Sequence, residues 1–215
     1  LLPRKRPMDN MGTGIQNPQE DEFALANMGC PTPYWRMAFP NEPPCYMELL
    51  DMDGVSEDLL ARWKRDMVWF VRALTFAKQK PLILKSPPHT GRIAVLAELF
   101  PGARFIHITR HPDTLFASNR RLWPSLDDAQ GLQVPKNEAL DEYIFSAFER
   151  MYHGFETQRT AIDSGQIIDV RYEDVVRDPV GQLESIYRHL DLGDFEVFRG
   201  KLEAYAAEQK DYQPN

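Results

Sequence analysis

The sequence predicts an α/β fold, a three-layer sandwich with a central parallel sheet flanked by helices. Three observations predict it. Short apolar runs at 82–84, 104–109 and 166–170 are bounded by turn residues. They alternate with longer segments in which apolar residues recur every three or four positions, the mark of one-sided helices. The chain has 215 residues, 43% of them hydrophobic, enough for one such domain with its own core.

Residues 1–55 hold Pro31, Pro33, Pro40, Pro43 and Pro44 and no sustained period, so they read as loops with one short helix over 18–28. Pro18 begins that helix, and Glu20, Asp21 and Glu22 lead it. Acidic residues there suit the positive end of a helix dipole. Ser56 caps a long helix striped by Leu60, Trp63, Met67, Val71 and Leu74 and closed by Pro81. Leu82, Ile83 and Leu84 form a buried strand that ends at Lys85. Pro87 and Pro88 turn the chain, and Thr90 caps a helix with Ile93, Leu96 and Phe100 inward.

Pro101 and Gly102 make the next turn, 104–109 is a second strand, and Pro112 sits in the first turn of a further helix. A long helix over 137–163 places Leu140, Ile144, Ala147, Met151 and Phe155 on one side. A third strand follows at 166–170. Asp178 and Pro179 start a helix carrying Val180, Leu183, Tyr187 and Leu190 inward. The whole of 1–215 is read as one domain, a Pro-rich region to residue 55 and an α/β core over 56–215.

Bulk properties remove several function classes. The formal net charge is −7, which disfavours sequence-independent nucleic-acid binding, because that affinity comes from neutralising phosphates. A small anionic ligand needs only two or three placed cations. No apolar run reaches bilayer length and no secretory signal opens the chain, so no membrane partner is expected. Cys30 and Cys45 form no CxxC and no histidine pair stands at ligand spacing, so free thiols in a cytoplasmic, reducing setting and no metal site are expected. The chain opens on Leu1 rather than Met and stops straight after a helical pattern, so it reads as a piece of a longer polypeptide.

In open parallel sheets, ligands sit beyond the carboxyl ends of the strands. That rule selects Lys85 with Ser86, Arg110 with His111, and Arg171 with Tyr172. Ser118 lies eight residues after Arg110, inside the next helix, with Arg120 and Arg121 close behind. An arginine fork and a hydroxyl near a helix start suit an anion. A structural salt bridge at Arg110 and plain packing at Ser118 fit the spacing equally well.

Several stretches in register resemble sulfotransferases that use 3′-phosphoadenosine 5′-phosphosulfate (PAPS). They are Leu84-Lys85-Ser86-Pro87-Pro88-His89-Thr90-Gly91-Arg92-Ile93, then Leu99-Phe100-Pro101-Gly102-Ala103-Arg104-Phe105-Ile106-His107, then Arg110-His111-Pro112 with Ser118. Val170-Arg171-Tyr172-Glu173-Asp174-Val175-Val176-Arg177-Asp178-Pro179 is similar to the family's last core strand and following turn. Arg6-Pro7-Met8-Asp9-Asn10-Met11 and Pro18-Gln19-Glu20-Asp21-Glu22-Phe23 look like its bacterial-type branch. The resemblance covers nearly the whole chain and implies a P-loop-NTPase-like sandwich incomplete at both ends.

The resemblance implies roles as well. Arg110 and Ser118 would bind the donor's 3′-phosphate and Tyr172 would contact the nucleotide, with Ser86 carried over beside them. Arg121, by its place just behind Ser118, would add a further charge to that anion site. Lys85 would lie near the transferred group. PAPS would be the co-substrate and 3′,5′-adenosine bisphosphate the product, with no metal. The acceptor would be a hydroxyl or amine on a small molecule, glycan or peptide, met on the 1–55 side, where Tyr34, Trp35, Phe39 and Tyr46 offer apolar surface. The family's usual Arg-Asp-Pro is Arg110-His111-Pro112 here, which changes local hydrogen bonding but keeps the arginine.

The family's glycine loop for the 5′-phosphosulfate does not occur in these residues. Gly12-Thr13-Gly14 lacks the flanking strand and helix, and comparison places the loop upstream of Leu1.

Sulfuryl transfer, by analogy with phosphoryl transfer, is mainly positioning and charge neutralisation. The acceptor also needs a base. Glu20 and Glu22 lead as candidates, with Asp21 and His89 behind, although three carboxylates at a helix start can equally serve that start alone. His107, inside a strand, reads as core. Two other functions stay in view. One is a non-catalytic 3′-phosphonucleotide-binding or interaction module. The other, a P-loop kinase, needs GxxxxGK[ST], which is absent.

Overall fold

Local sequence signals set many of the boundaries in the computed structural model, which describes residues 4–5, 12–14, 17 and 19–209. Two-residue strands β1 (Arg4–Lys5) and β2 (Gly12–Thr13) pair antiparallel. The Arg6–Met11 stretch and Pro18 lie outside the described residues. Helix α1 runs Asp21–Asn27, and one turn, α2, spans Trp35–Ala38. A 3-10 turn at Met47–Leu50 leads to α3, Glu57–Ala77, where the Ser56 hydroxyl accepts from the Leu59 N–H as expected of a cap.

The expected strand at 82–84 does not form. Residues 82–85 make no backbone hydrogen bond among the described residues, and Ile83 is 95% exposed. A strand exists only through a neighbour's ladder, and no described segment lies alongside to provide one. Thr90 does not cap a helix either. Pro87–Arg92 is a 3-10 segment, and α4 (Ile93–Leu99) starts after Arg92.

The remaining elements are β3 (Phe105–Thr109), α5 (Pro112–Gln130), α6 (Leu140–Gln158), a 3-10 turn at Arg159–Ala161, β4 (Ile167–Arg171), α7 (Tyr172–Arg177), α8 (Pro179–Leu190) and α9 (Glu196–Glu208). The α6 helix starts later than its apolar period suggests, because Asn137 and Ala139 adopt left-handed backbone at φ 56° and 53°. Its expected inner residues Leu140, Ile144, Ala147, Met151 and Phe155 are all buried. Asp178 caps α8 through the Gly181 N–H.

β3 and β4 pair in parallel, Phe105 opposite Ile167 through Thr109 opposite Arg171. Helices cover both faces, which is the predicted α/β layering. On one face Ile186 and Leu190 of α8 pack on Val170 and Ile168. On the other, Phe155 of α6 and Ile93 of α4 pack on Ile167 and Phe105. His107 belongs to that second layer, its ring 3.9 Å from Phe155 between centroids and its Nδ1 2.8 Å from Asp169. Register places Arg110 and Tyr172 side by side, since each directly follows one of two matched strand ends.

The larger core joins Trp63 and Met67 of α3 to Leu25, Leu49, Val95 and Leu96. At its centre is an ion pair. Arg92 and Glu22 side chains are both 0% exposed, joined at 2.7 Å and 3.2 Å. Arg92 also donates to the Leu49 carbonyl and lies 5.1 Å from the Trp63 ring centre. Thr32 donates to Glu22 at 2.5 Å. Beside this pair backbones approach very closely: a Cβ on Gly91 would meet the Leu50 carbonyl of the preceding 3-10 turn at 2.2 Å, and one on Gly154 of α6 would meet Asp51 at 2.7 Å.

Removing one partner of a buried pair strands the other's charge, at a cost of about 3–5 kcal/mol. Glu22→Ala should lose that much stability in urea unfolding, and Glu22→Ala with Arg92→Met should recover part of it. A loss below about 1 kcal/mol in the single variant would refute the pair's structural role.

Candidate functional site

Three consecutive residues at the start of α1 point in three directions. Glu20 occupies the cap position in extended backbone, φ −64° and ψ 135°, so its side chain leaves the helix toward the surface. Asp21 and Glu22 are already helical, and both are buried. Each meets the segment 85–92, which is more than sixty residues away in sequence.

Ser86 ties the two segments together. Its hydroxyl donates to Asp21 Oδ1 at 2.9 Å and accepts from the Glu22 N–H at 3.1 Å. His89 Nε2 lies 2.6 Å from Asp21 Oδ2. Burial pushes the Asp21 carboxyl up, but His89 and Ser86 outweigh it and hold the group below the ordinary aspartate value. Glu22 follows the same pattern: burial raises it, and the Arg92 charge with its hydrogen bonds brings it lower. Both carboxylates are therefore ionised and fully occupied. His89 Nδ1 is buried with no hydrogen-bond partner among the described residues.

Two residues expected at the site are turned inward. The Ser86 hydroxyl is buried and engaged on both sides. The Glu22 oxygens meet Arg92 and Thr32, and its side chain is 0% exposed. A base must come within hydrogen-bond reach of the proton it takes.

Glu20 and Lys85 stand next to these anchors, and they meet. Lys85 Nζ donates to Glu20 Oε1, with Lys85 75% and Glu20 22% exposed at the side chain. Tyr34 donates its hydroxyl to the other oxygen, Oε2, at 2.5 Å. A cation, a carboxylate and a phenol thus form one surface cluster on a buried foundation. Beside it a cavity of about 540 Å³ is lined by Lys85, Ser86, His89 and Thr90, with Ile106 and Ile108 of β3 among its other walls. Trp35 and Phe39 stack at 6.3 Å and are partly exposed, and Tyr46 is exposed in left-handed backbone.

A second cluster gathers at the matched strand ends. The Arg110 guanidinium lies 4.5 Å from the Tyr172 ring centre. No hydrogen bond or ion pair engages it among the described residues, so its N–H donors are available to an anion. Glu173 accepts from the His111 N–H at 3.3 Å, and its own backbone and that bond hold its carboxyl low. Ser118 sits two turns into α5, and its hydroxyl has no partner among the described residues. Arg121 is exposed one turn further on, while Arg120 pairs with Asp141 at 2.8 Å. Among the described residues, no group of three or more metal-ligating side chains occurs, and no helix is long and apolar enough to cross a membrane. Cys30 and Cys45 are both free thiols.

Sequence reasoning missed Tyr34 as a partner of Glu20, Arg92 and Thr32 as partners of Glu22, and the Asp21–His89 contact. No helix or strand period could have shown them: Arg92 and His89 lie 70 and 68 residues from their partners, and Tyr34 and Thr32 lie 14 and 10 residues away across a loop. Glu173, by contrast, stood inside a recognised stretch.

Comparison with known proteins fits this geometry. A family model described as "Sulfotransferase family" matches residues 9–196. The omega-hydroxy-beta-dihydromenaquinone-9 sulfotransferases of Mycobacterium bovis and Mycobacterium tuberculosis are each 42% identical over all 215 residues. The chain spans 55% of their length. No solved structure matches at a significant level. The family carries a P-loop-like fold, consistent with the parallel strand pair and its two helical layers. A match over most of the chain, with full-length identity at this level, establishes that it belongs to the sulfotransferase family.

Proposed function

We propose that this protein transfers a sulfuryl group from PAPS to an acceptor hydroxyl, with Glu20 as general base and Lys85 as the cation beside the transferred group. The observation that carries the reading is the Lys85–Glu20 contact, a partly exposed carboxylate held by an ammonium whose side chain lines a cavity. PAPS supplies an activated sulfuryl group whose bonding electrons leave with the phosphate side of the donor.

Each residue then has a task that its surroundings support. Glu20 lies beside Lys85 and is partly exposed, so an acceptor hydroxyl can donate to Oε1. Lys85, 75% exposed, can turn from Glu20 toward the donor's oxygens when these arrive. Charge placed where charge develops is the main device for such transfers. Arg110, with unoccupied donors and its face on Tyr172, and Ser118, with an uncommitted hydroxyl, suit the donor's 3′-phosphate. Arg121 is an outer contact to the same phosphate. Ser86 and Glu22 take no part in chemistry and hold Lys85 and Glu20 in place.

For the acceptor, the curated relatives are named for a hydroxylated dihydromenaquinone. At 42% identity a hydroxyl-bearing lipid quinone is the first acceptor to test, and the exposed Trp35 and Phe39 rings near Tyr34 suit an apolar body. A nucleotide-binding module without chemistry is the alternative, and turnover separates the two.

Two outcomes test the assignment. Arg110→Ala should weaken binding of 3′,5′-adenosine bisphosphate by about 1.5–3 kcal/mol, the scale of hydrogen bonds to a charged group, as read by calorimetry. Unchanged affinity would remove Arg110 from the site. Glu20→Gln should lower kcat at saturating PAPS by about 10²–10⁴-fold, whereas Glu20→Gln with full turnover would place the base elsewhere.

A further inference from the structure

We propose that Tyr34 is the positioning residue for the base: its phenol fixes one oxygen of Glu20 so that the other faces Lys85 and the acceptor. The inference rests on the reading of Glu20 as base. The contacts divide the carboxylate cleanly. Oε2 accepts from the Tyr34 hydroxyl at 2.5 Å, and Oε1 accepts from Lys85.

Glu20 needs such a holder. It stands just outside α1, and among the described residues its only other side-chain partner is a lysine that is 75% exposed. An exposed ion pair contributes little and restrains little, because both side chains keep most of their freedom and water competes. A long side chain held only by that pair would sample several rotamers. Geometry matters here, since a misplaced base loses the benefit of proximity.

Tyr34 is itself well held. Its backbone N–H donates to Thr32 Oγ1 at 3.1 Å, and its ring meets the Phe23 ring edge-on at 5.0 Å. Thr32 Oγ1 in turn donates to Glu22, so the phenol is anchored to the same buried network as α1. Pro33, fully buried, stiffens the chain immediately before it. Burial and the neighbouring Glu20 charge push the Tyr34 hydroxyl well above its ordinary value, so it stays protonated and remains a donor.

The charged groups facing this contact are Lys85 from the 82–86 segment, and behind it Glu22 and Arg92, which balance each other. Asp21 with His89 lies one residue along α1. None of these is altered by removing the phenolic hydroxyl, so a change in turnover on its removal reports the Tyr34 bond.

The test is kcat and KM for PAPS, measured separately in protein expressed from its complete reading frame, for wild type, Tyr34→Phe and Glu20→Gln. In Tyr34→Phe, kcat per site that binds 3′,5′-adenosine bisphosphate should fall about tenfold or more, with KM for PAPS nearly unchanged. Protein carrying 3-fluorotyrosine at position 34, which keeps the donor and nearly the same shape, should retain kcat near wild type; it also covers the case in which Tyr34→Phe folds poorly. A purely structural role would lower the active fraction and leave kcat per binding-competent site in place. A Tyr34→Phe kcat matching wild type, while Glu20→Gln is inactive, would overturn the assignment of Tyr34 alone. Full turnover by Glu20→Gln would overturn the reading beneath it.

Discussion

The fully buried pair of Glu22 and Arg92 is the constraint on which the site depends. Two charges removed from water are costly to keep, and they persist only where hydrogen bonds satisfy what the pair leaves over. Here Thr32 and the Leu49 carbonyl do so, and the Trp63 ring closes one side. The pair adds little net stability compared with an apolar replacement. What it supplies is register: the start of α1 can meet the 86–92 segment in one way only. Ser86, shared between the Asp21 carboxylate and the Glu22 N–H, and His89 on Asp21 fix the same register again.

From that register the chemistry follows. Position 20 precedes two anchored residues, and position 85 precedes an anchored serine, so both side chains emerge where their anchors end. An exposed lysine and a glutamate outside its helix would not hold one another in water. They meet because their neighbours are already locked. The cluster proposed for the 3′-phosphate has a separate origin in the parallel pairing of β3 with β4, which brings Arg110 over Tyr172 and, among the described residues, leaves its donors unoccupied. Two independent devices, a buried ionic network and a strand register, thus place the proposed base and the proposed phosphate grip.

Much of the fold was legible in the sequence. The stripe of Trp63 and Met67, the inner face of α6 from Leu140 to Phe155, and the caps at Ser56 and Asp178 are local features, and local rules found them. The 82–84 run misled because its apolar residues specify a strand only if another strand pairs with it, and pairing is not a local property. The site was legible in part for the same reason. Arg110 and Tyr172 stood at the ends of strands that form, and Glu20 and Lys85 stood in stretches that the family resemblance picks out, although the strand expected to end at Lys85 does not form. Their surroundings depend on contacts outside any local period, such as Ser86 on Asp21 across 65 residues and Tyr34 on Glu20 across 14. Spacing therefore could not tell that Glu22 and Ser86 turn inward while Glu20 turns out, nor that Tyr34 reaches back to Glu20.

The most direct measurement is a double-mutant cycle on kcat with Glu20→Gln, Lys85→Ala and the two combined. Groups locked into one unit lose their function together, so the combined variant should be little worse than the poorer single one, a coupling of about 1 kcal/mol or more. Losses that simply multiply would mean that the two side chains act independently, and that the buried network does not bring them together for a common purpose.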